Sequence, residues 1–281
     1  LILFSLPFLF MMERGNSIIL ALSFSMLFLT YYNVKNIKAF ICLGIAVSIK
    51  ITPCAFALIL LRDRKWKEVL VCTIIIFVIF NLPFILTDGN MFTLLNNIIN
   101  TTNSFQSEVV GVDGILRKVG YGAYINIGNT IKAIAEILHK DLNYLITPIN
   151  LFLLCWATGT ILMNRNLNEW KVYTLLCGII TLTPGFSAIY NLIYYIIPLV
   201  CFLSNNPKSK LINYVYISLF LLIFIPIVNI DIPIFENVSH EDVYPIRIST
   251  LVESLSILIL SLIILTENIV YHKVNYKKEI K

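Results

Sequence analysis

Long apolar stretches separated by short polar segments dominate the pattern of this chain. A helix that spans a bilayer needs about 20 consecutive apolar residues, and several of these stretches approach that length. The pattern predicts an all-α, polytopic transmembrane helical bundle with about 8–10 membrane segments, because helices satisfy their own backbone hydrogen bonds in lipid. The segments are predicted at 1–12, 17–32, 38–49, 52–61, 68–86, 144–163, 172–183, 188–203, 211–228 and 250–270.

One break in the pattern places a cation inside otherwise apolar sequence. Lys50 and Pro53 interrupt the stretch from 37 to 67. An ionisable side chain at membrane depth costs at least about 2.5–3.5 kcal/mol and usually faces a protein interior or a watery cavity. Pro53 disfavours helical geometry at Thr52, so we expect the helix to break beside Lys50. A broken helix next to a cation suggests an anion site. The alternative is one kinked helix in which Lys50 extends to the interface.

The distribution of charge favours a hairpin at Lys50 over a kinked span. If the chain enters the membrane and returns at Lys50, most of the 21 Lys and Arg residues fall on one side, and most of the 16 acidic residues fall on the other. An excess of Lys and Arg marks the cytoplasmic side. The hairpin therefore places Lys50 near the outer membrane face, on the same side as Glu13 and Arg14.

The longest polar stretch, 87–143, falls on the same predicted outer side. Within it, Ile131, Ile134, Ile137 and Leu138 recur at helical spacing, which predicts an amphipathic helix that lies in the interface plane. The glycines ahead of this helix predict turns and loops. We interpret 1–281 as one integral membrane domain and 87–143 as an extracytoplasmic loop within it.

Composition agrees with a membrane protein and excludes other classes. Hydrophobic residues make up 58% of the chain, charged residues 13%, and the mean hydropathy is +0.84. The net charge of +5 comes from residues between apolar spans rather than from a basic run interleaved with aromatic residues, so no nucleic-acid partner is expected. The six cysteines lie in apolar segments without metal-ligand spacing. We expect no cofactor and no metal site, with a divalent cation left as an open alternative.

The beginning of the chain predicts a fragment. It starts at Leu1 rather than at a methionine. Only about a dozen apolar residues precede Glu13, fewer than a complete span needs. We expect the start of the first span to lie upstream of Leu1.

Polar groups that suit a phosphorylated substrate gather on the predicted outer side. Glu13, Arg14 and Asn16 open one span, and Lys50 lies at the hairpin turn. Paired cations near a membrane surface bind phosphate through strong charge-assisted hydrogen bonds. Further along, a Pro-Gly break precedes a tyrosine-rich segment that contains Tyr190. Such tyrosines suit sugar stacking, and they equally suit the aromatic belt of a membrane interface.

The order of these residues resembles glycosyltransferase family 87 of the GT-C superfamily. The resemblance rests on three blocks and two weaker matches, which follow in the same order in this chain. They are Glu13-Arg14-Gly15-Asn16, Gly44 with Lys50-x-x-Pro53, Arg62-x-Arg64-Lys65-Trp66, Gly114-Ile-Leu-Arg117, and Thr183-Pro184 with Tyr190-Asn191.

The resemblance implies a GT-C-like fold and an inverting hexosyltransferase. A mannose-like sugar would move from a polyprenyl-phosphate sugar donor to a lipid or glycan acceptor on the extracytoplasmic face. Arg14 and Lys50 would bind the donor phosphate. The residues that would line the sugar or acceptor cavity are Asn16, Arg117, Tyr190 and Asn191.

The same resemblance leaves the catalytic base open. The superfamily's usual base is an aspartate after the first span, which we expect upstream of Leu1. Glu13 is the acid in a comparable position here. A chain that truly started at Leu1 is expected to be inactive. The residue usage favours a bacterial protein, hence the plasma membrane with an outward-facing site.

A transporter or flippase for a lipid-linked sugar or another anion is the alternative. Lys50 and the broken helices would then form a substrate site at the midplane between pseudo-symmetric halves. The early break at Pro53 and the later one at Pro184 differ in sequence, and no internal repeat is visible. The pattern therefore favours the enzyme.

Overall fold

The structure, a computed structural model, describes most of the chain. The described residues are 5–13, 15–34, 37–85, 90, 92–94, 96–97, 108–110, 116–118, 124–138, 140–185, 187–205, 211–224 and 248–279. For 6, 10, 85, 108–110, 116–118, 136 and 270–279 it describes the backbone alone.

Nearly all the described elements are helices, which confirms the all-α fold class. The α-helices are α1 Leu6–Glu13, α2 Ile18–Tyr31, α3 Ile37–Ile49, α4 Leu58–Arg62, α5 Trp66–Asn81, α6 Ile127–Ile137, α7 Ile146–Met163, α8 Glu169–Leu182, α9 Ile196–Ser204, α10 Leu211–Phe224 and α11 Ile248–Glu279. The 3₁₀ segments are Tyr32–Val34, Thr52–Ala57, Leu82–Ile85, Asn143–Leu145 and Ile189–Tyr195. One antiparallel pair, β1 Glu108–Val110 with β2 Leu116–Lys118, lies where the sequence predicts only turns and loops.

Three helical stretches within the described residues are long and apolar enough to cross a membrane. They are Trp66–Phe84, Asn143–Met163 and Ile248–Ile269, with mean hydropathies of 2.0, 1.7 and 2.3. The first buries little of itself in protein: Leu70, Ile74 and Phe77 are 63%, 54% and 57% exposed. Such a continuous apolar face suits contact with lipid rather than with water. The remaining apolar helices are shorter and pack around these three.

The segment from Ile37 to Arg62 is a hairpin with Lys50 at its turn. Just beyond α4, Lys65 Nζ donates a hydrogen bond to Asn33 Oδ1 at 2.8 Å. The same ammonium lies 4.7 Å from the centroid of the Tyr32 ring. A single kinked helix would hold Asn33 and Lys65 tens of ångströms apart, at about 1.5 Å per residue. These contacts confirm the predicted hairpin.

The hairpin turn follows from the proline. Pro53 lies in the first turn of the 3₁₀ segment Thr52–Ala57, where a missing N–H costs nothing. The arm formed by α3 packs closely on α5, because a Cβ atom added at Gly44 would lie 2.7 Å from Ile79 Cδ1. The α3 arm of the hairpin is therefore packed against α5.

Contacts of the later helices define two ends of the bundle. The base end contains Asn33, Arg62 and Lys65, and it includes the α7–α8 loop because Arg62 donates to Arg165 O at 2.6 Å. The turn end contains Lys50 and the segment 183–195 that follows α8. α11 begins at the turn end and runs toward the base end, where Glu267 meets Lys171 at the start of α8.

An aromatic cluster closes the base end of the core. Trp170 of α8 lies edge-to-face against Phe202 and Tyr216, with ring centroids 4.9 Å apart in both pairs. Phe220 extends the cluster along α10. These rings pack α8, α9 and α10 against one another at the base end.

Candidate functional site

Lys50 lies in the turn between α3 and the 3₁₀ segment, outside the three candidate spans. Its Nζ donates a hydrogen bond to Asn191 Oδ1 at 3.4 Å and lies 3.9 Å from the centroid of the Tyr190 ring. No carboxylate in the described part of the chain forms an ion pair with it. Burial lowers the pKa of the Lys50 ammonium to about 8, so it stays largely protonated at neutral pH. The turn thus presents a partly buried positive charge that carboxylates do not neutralise.

The segment after α8 positions the two residues that meet Lys50. Pro184 and Gly185 follow the end of α8, and the 3₁₀ segment Ile189–Tyr195 begins after an extended residue, Ala188. Asn191 Nδ2 donates to Ser187 Oγ at 3.0 Å, which leaves its Oδ1 directed at Lys50. The Asn191 amide is therefore oriented by the segment in which it lies.

Asparagines from α6 and α7 hold this segment in place. Asn126 Nδ2 donates to Gly185 O at 2.9 Å, and Asn150 Nδ2 donates to Thr183 O at 2.8 Å. Asn129 N in turn donates to Asn126 Oδ1 at 2.7 Å. The backbone joins in, because Ile125 N donates to Ser187 O at 2.6 Å. The amide N–H groups of Asn126 and Asn150 donate to backbone carbonyls. We therefore interpret them as groups that position the segment after α8.

Some polar groups on the first turns of α7 and α11 have no hydrogen-bond partner among the residues that the structure describes. They include Asn150 Oδ1, Ser249 Oγ and both carboxyl oxygens of Glu253. Glu253 and Ser249 are fully buried. Buried polar atoms are nearly always paired in folded proteins, so each exception calls for an explanation.

Sequence reasoning missed Glu253. It is an acid near the start of the apolar run 250–270, and the rule that singled out Lys50 applies to it equally. The sequence predicts this run only as a membrane segment. An acidic residue within an apolar run was the sequence signal that could have identified Glu253.

The structure brings together three of the predicted site residues: Lys50, Tyr190 and Asn191. Glu13 is exposed at the end of α1, a helix that packs against the 3₁₀ segment Ile189–Tyr195. Asn16 Oδ1 accepts the backbone N–H of Ile18 at 3.1 Å, so this amide caps α2. Their predicted roles stay predictions.

Two predicted site residues are not placed. Arg14 lies outside the described residues, and Arg117 belongs to β2 with its side chain outside them. No cluster of three or more His, Cys, Asp or Glu side chains suited to a metal ion occurs within the part of the chain that the structure covers.

A cavity of about 620 Å³ lies at the base end, away from Lys50. Its lining includes two arginines, Arg62 and Arg165, and two acids, Asp63 and Glu169. The charges balance, and the Arg62 guanidinium is already bound to backbone carbonyls. The cavity therefore offers less attraction to an anion than the turn end does, despite its size.

Helices long and apolar enough to cross a bilayer are the features of an integral membrane protein. The model of glycosyltransferase family 87 matches residues 1–182. This match covers well over half of the chain, which therefore belongs to the family and is a membrane glycosyltransferase. Searches of curated proteins and of solved structures returned no match.

The matched region includes Lys50 and ends with α8. Tyr190, Asn191 and Glu253 lie beyond it. The family match thus covers the hairpin and Lys50, while the other residues of the turn end come from the later part of the chain.

Proposed function

We propose that this protein transfers a mannose-like hexose from a polyprenyl-phosphate sugar to a lipid or glycan acceptor, with inversion at the anomeric carbon. The reaction takes place on the extracytoplasmic face of a bacterial plasma membrane. The family match supports glycosyl transfer, and the Lys50 contacts support a phosphate-linked donor.

The observation that carries this proposal is the Lys50 ammonium. It has one long hydrogen bond, one aromatic face and no ion pair within the described residues. A partly buried cation that lacks an anion is unfavourable. A donor phosphate would supply that anion, and the attraction strengthens as water is excluded from the site.

In the proposed reaction, an acceptor hydroxyl oxygen attacks the anomeric carbon opposite the phosphate. A new C–O bond forms while the bond from the anomeric carbon to the phosphate oxygen breaks. The hydroxyl proton passes to a carboxylate base, and polyprenyl phosphate leaves with the bonding electrons. Lys50 stabilises the negative charge that develops on the leaving phosphate, which is where electrostatic catalysis is most effective.

The other site residues have supporting roles in this proposal. Arg14 is a second cation for the phosphate, and Tyr190 offers a ring face to the sugar. Asn16, Arg117 and Asn191 line the sugar or acceptor cavity. The base is a carboxylate, for which Glu13 is the candidate in this chain. The proposed reaction uses no organic cofactor, and a divalent cation at the phosphate is the open alternative.

The test measures sugar transfer and release of polyprenyl phosphate by the full-length protein in detergent. Donors are a panel of polyprenyl-phosphate hexoses, with membrane lipid extract as the source of acceptor. Lys50→Ala is compared with Lys65→Ala, a matched lysine whose ammonium binds Asn33 at the base end. We expect Lys50→Ala to abolish transfer without loss of folded protein, and Lys65→Ala to retain it.

Two results would contradict the proposal. One is full transfer activity in Lys50→Ala. The other is the passage of an intact lipid-linked sugar across proteoliposome membranes with no donor turnover, which is the result a transporter gives.

A further inference from the structure

Helix α11 carries two glutamates with opposite environments. Glu267 Oε2 accepts hydrogen bonds from Lys171 Nζ and from Tyr216 OH, each at 2.6 Å. Glu253 is 0% exposed, and neither of its carboxyl oxygens has a partner among the residues described. One carboxylate is therefore part of the fold's own network, and the other is not.

The pairing of α8 with α11 places Glu253 at the turn end. Lys171 meets Glu267, and a Cβ atom added at Gly178, two turns further along α8, would lie 3.1 Å from Ser261 Oγ. The two helices are thus antiparallel. Two more turns lead from Gly178 to the Thr183–Gly185 segment and from Ser261 to the level of Glu253. α11 also packs against α6, whose first residues tie that same segment.

The Glu253 carboxyl makes no hydrogen bond with the described residues that would stabilise the fold. Burying a carboxyl group without hydrogen bonds costs several kcal/mol, whichever protonation state it adopts. Ser249, one turn earlier on α11, has an equally unpaired hydroxyl, and Asn150 Oδ1 of α7 is also unpaired. Groups of this kind persist where a ligand completes their hydrogen bonds.

The chemistry of the group selects the part of the ligand that it can bind. A buried carboxyl group that has neither a cation nor a hydrogen bond to stabilise a charge is neutral, and it then both accepts hydrogen bonds from hydroxyl groups and donates to them. No metal-binding cluster of acids or histidines surrounds it within the described residues. A neighbouring pair of sugar hydroxyls can form hydrogen bonds with both oxygens, whereas Lys50 suits the phosphate.

We propose that Glu253 binds hydroxyl groups of the hexose that is transferred, while Lys50 binds the donor phosphate. This inference rests on the proposed function and assigns the sugar end of the donor to α11. Glu253 is then a sugar-binding residue of the site, supplied from outside the region that the family model matches.

The test compares two lipids, polyprenyl phosphate and polyprenyl-phosphate mannose, which differ in the sugar and in the charge of the phosphate, so each variant is compared with wild type on the same lipid. Binding to the full-length protein in detergent is measured for wild type, Lys50→Ala, Glu253→Met and the matched control Glu267→Met. Methionine keeps the side-chain length and removes the carboxyl group. We expect Lys50→Ala to weaken both lipids. Glu253→Met should weaken the mannosyl lipid about tenfold or more and leave polyprenyl phosphate unchanged.

Thermal unfolding without lipid supplies a second readout. Glu253→Met should unfold at the wild-type temperature or above it, because an unpaired buried carboxyl is replaced by an apolar group. Glu267→Met should unfold at a lower temperature, because Lys171 and Tyr216 lose their acceptor. Glu253→Gln, which keeps the shape, should bind the mannosyl lipid with intermediate affinity.

Three results would overturn the inference. If Glu253→Met binds the mannosyl lipid as well as wild type does, Glu253 does not contact the sugar, and the proposed function stands. If it weakens both lipids equally and unfolds earlier, its role is structural. If wild type binds neither this pair nor the lipids of any other hexose in the panel, the proposed function fails together with the inference.

Discussion

The two ends of the bundle treat their polar groups differently. At the base end, the Arg62 guanidinium donates to the carbonyl oxygens of Arg165 at 2.6 Å and Leu167 at 2.8 Å. At the turn end, Lys50 has a single hydrogen bond at 3.4 Å. Both cations belong to the same hairpin, and both are removed from solvent to a large degree.

The difference separates a cation that the fold pairs with backbone carbonyls from one that it leaves largely unpaired among the described residues. Arg62 donates hydrogen bonds to backbone carbonyls of the α7–α8 loop, so its guanidinium is already paired within the fold. Lys50 keeps most of its donor capacity, and Glu253 at the same end keeps all of its acceptor capacity. Groups that are paired within the protein hold the fold together, whereas each unpaired buried group calls for an explanation, of which a bound ligand is the one that we propose here.

The largest expected effect comes from Lys50→Ala. Transfer should fall by about 10²–10³-fold, as when a group that stabilises transition-state charge is lost. The melting temperature should stay within error of wild type, because Lys50 makes few contacts. Parallel activity and thermal-unfolding measurements check both parts. A large fall in the melting temperature of Lys50→Ala would show that Lys50 stabilises the fold, as Arg62 does, and would contradict the comparison.

Arg62→Ala should show the reverse pattern. Loss of its charged hydrogen bonds at a buried site should lower the free energy of unfolding by about 3 kcal/mol. Transfer per folded molecule should change little, since Arg62 lies at the far end of the hairpin. Chemical or thermal unfolding in detergent measures the first effect. Arg62→Lys, which keeps the charge without the guanidinium geometry, should recover part of the stability.

Tyr190→Leu tests the aromatic contact of Lys50. A cation over an aromatic face contributes about 1 kcal/mol, so donor affinity should fall about fivefold. Tyr190→Phe should keep most of the affinity, because the ring remains 3.9 Å from the ammonium. Titration with polyprenyl phosphate distinguishes the two variants. Equal losses in both would assign the effect to the hydroxyl instead.

The smallest expected effect concerns Gly44, which lies between the two ends. Gly44→Ala should lower the free energy of unfolding by about 1 kcal/mol, because its Cβ meets the end of the Ile79 side chain. Adding Ile79→Val should restore stability. The control Gly159→Ala has nothing within 4 Å of the new Cβ and should be neutral or stabilising. Thermal unfolding ranks the three.

Hydropathy and charge predicted the helical architecture well. The apolar runs match the helices in order and approximate bounds, because lipid leaves the backbone few alternatives to a helix. The hairpin followed from the Lys and Arg distribution, and the Lys65–Asn33 contact confirms it. These features depend on local sequence and on membrane side, both of which can be read from one chain.

The loop 87–143 was predicted less completely. Its helix is present as α6, but Ile137 and Leu138 of the expected apolar face are more than half exposed, while Asn129 and Thr130 are buried. Asn129 Nδ2 donates to Tyr124 O and Thr130 Oγ1 donates to Asn126 O, so these two side chains are buried against the residues 124–126 that bind the segment after α8. The partner segment lies about 60 positions further along the chain. The helical periodicity of α6 therefore does not predict which of its polar residues are buried.

The candidate site shows the same limit. Tyr190 and Asn191 were named with Lys50 through a family resemblance, not through spacing, because about 140 positions of chain separate them. Glu253 carried a local signal, a charge in an apolar run, yet its full significance needed the burial and the missing partners that only the folded arrangement provides.

The hairpin has a consequence for how this architecture can change. Because its two arms both have one end at the base end, the segment 37–62 returns the chain to the end of the bundle at which it began. Deleting or inserting such a unit leaves every later helix with the same orientation. A lineage can therefore reshape the turn, its length and its cation without inverting the rest of the protein. In topological terms, the hairpin that carries Lys50 is a self-contained unit.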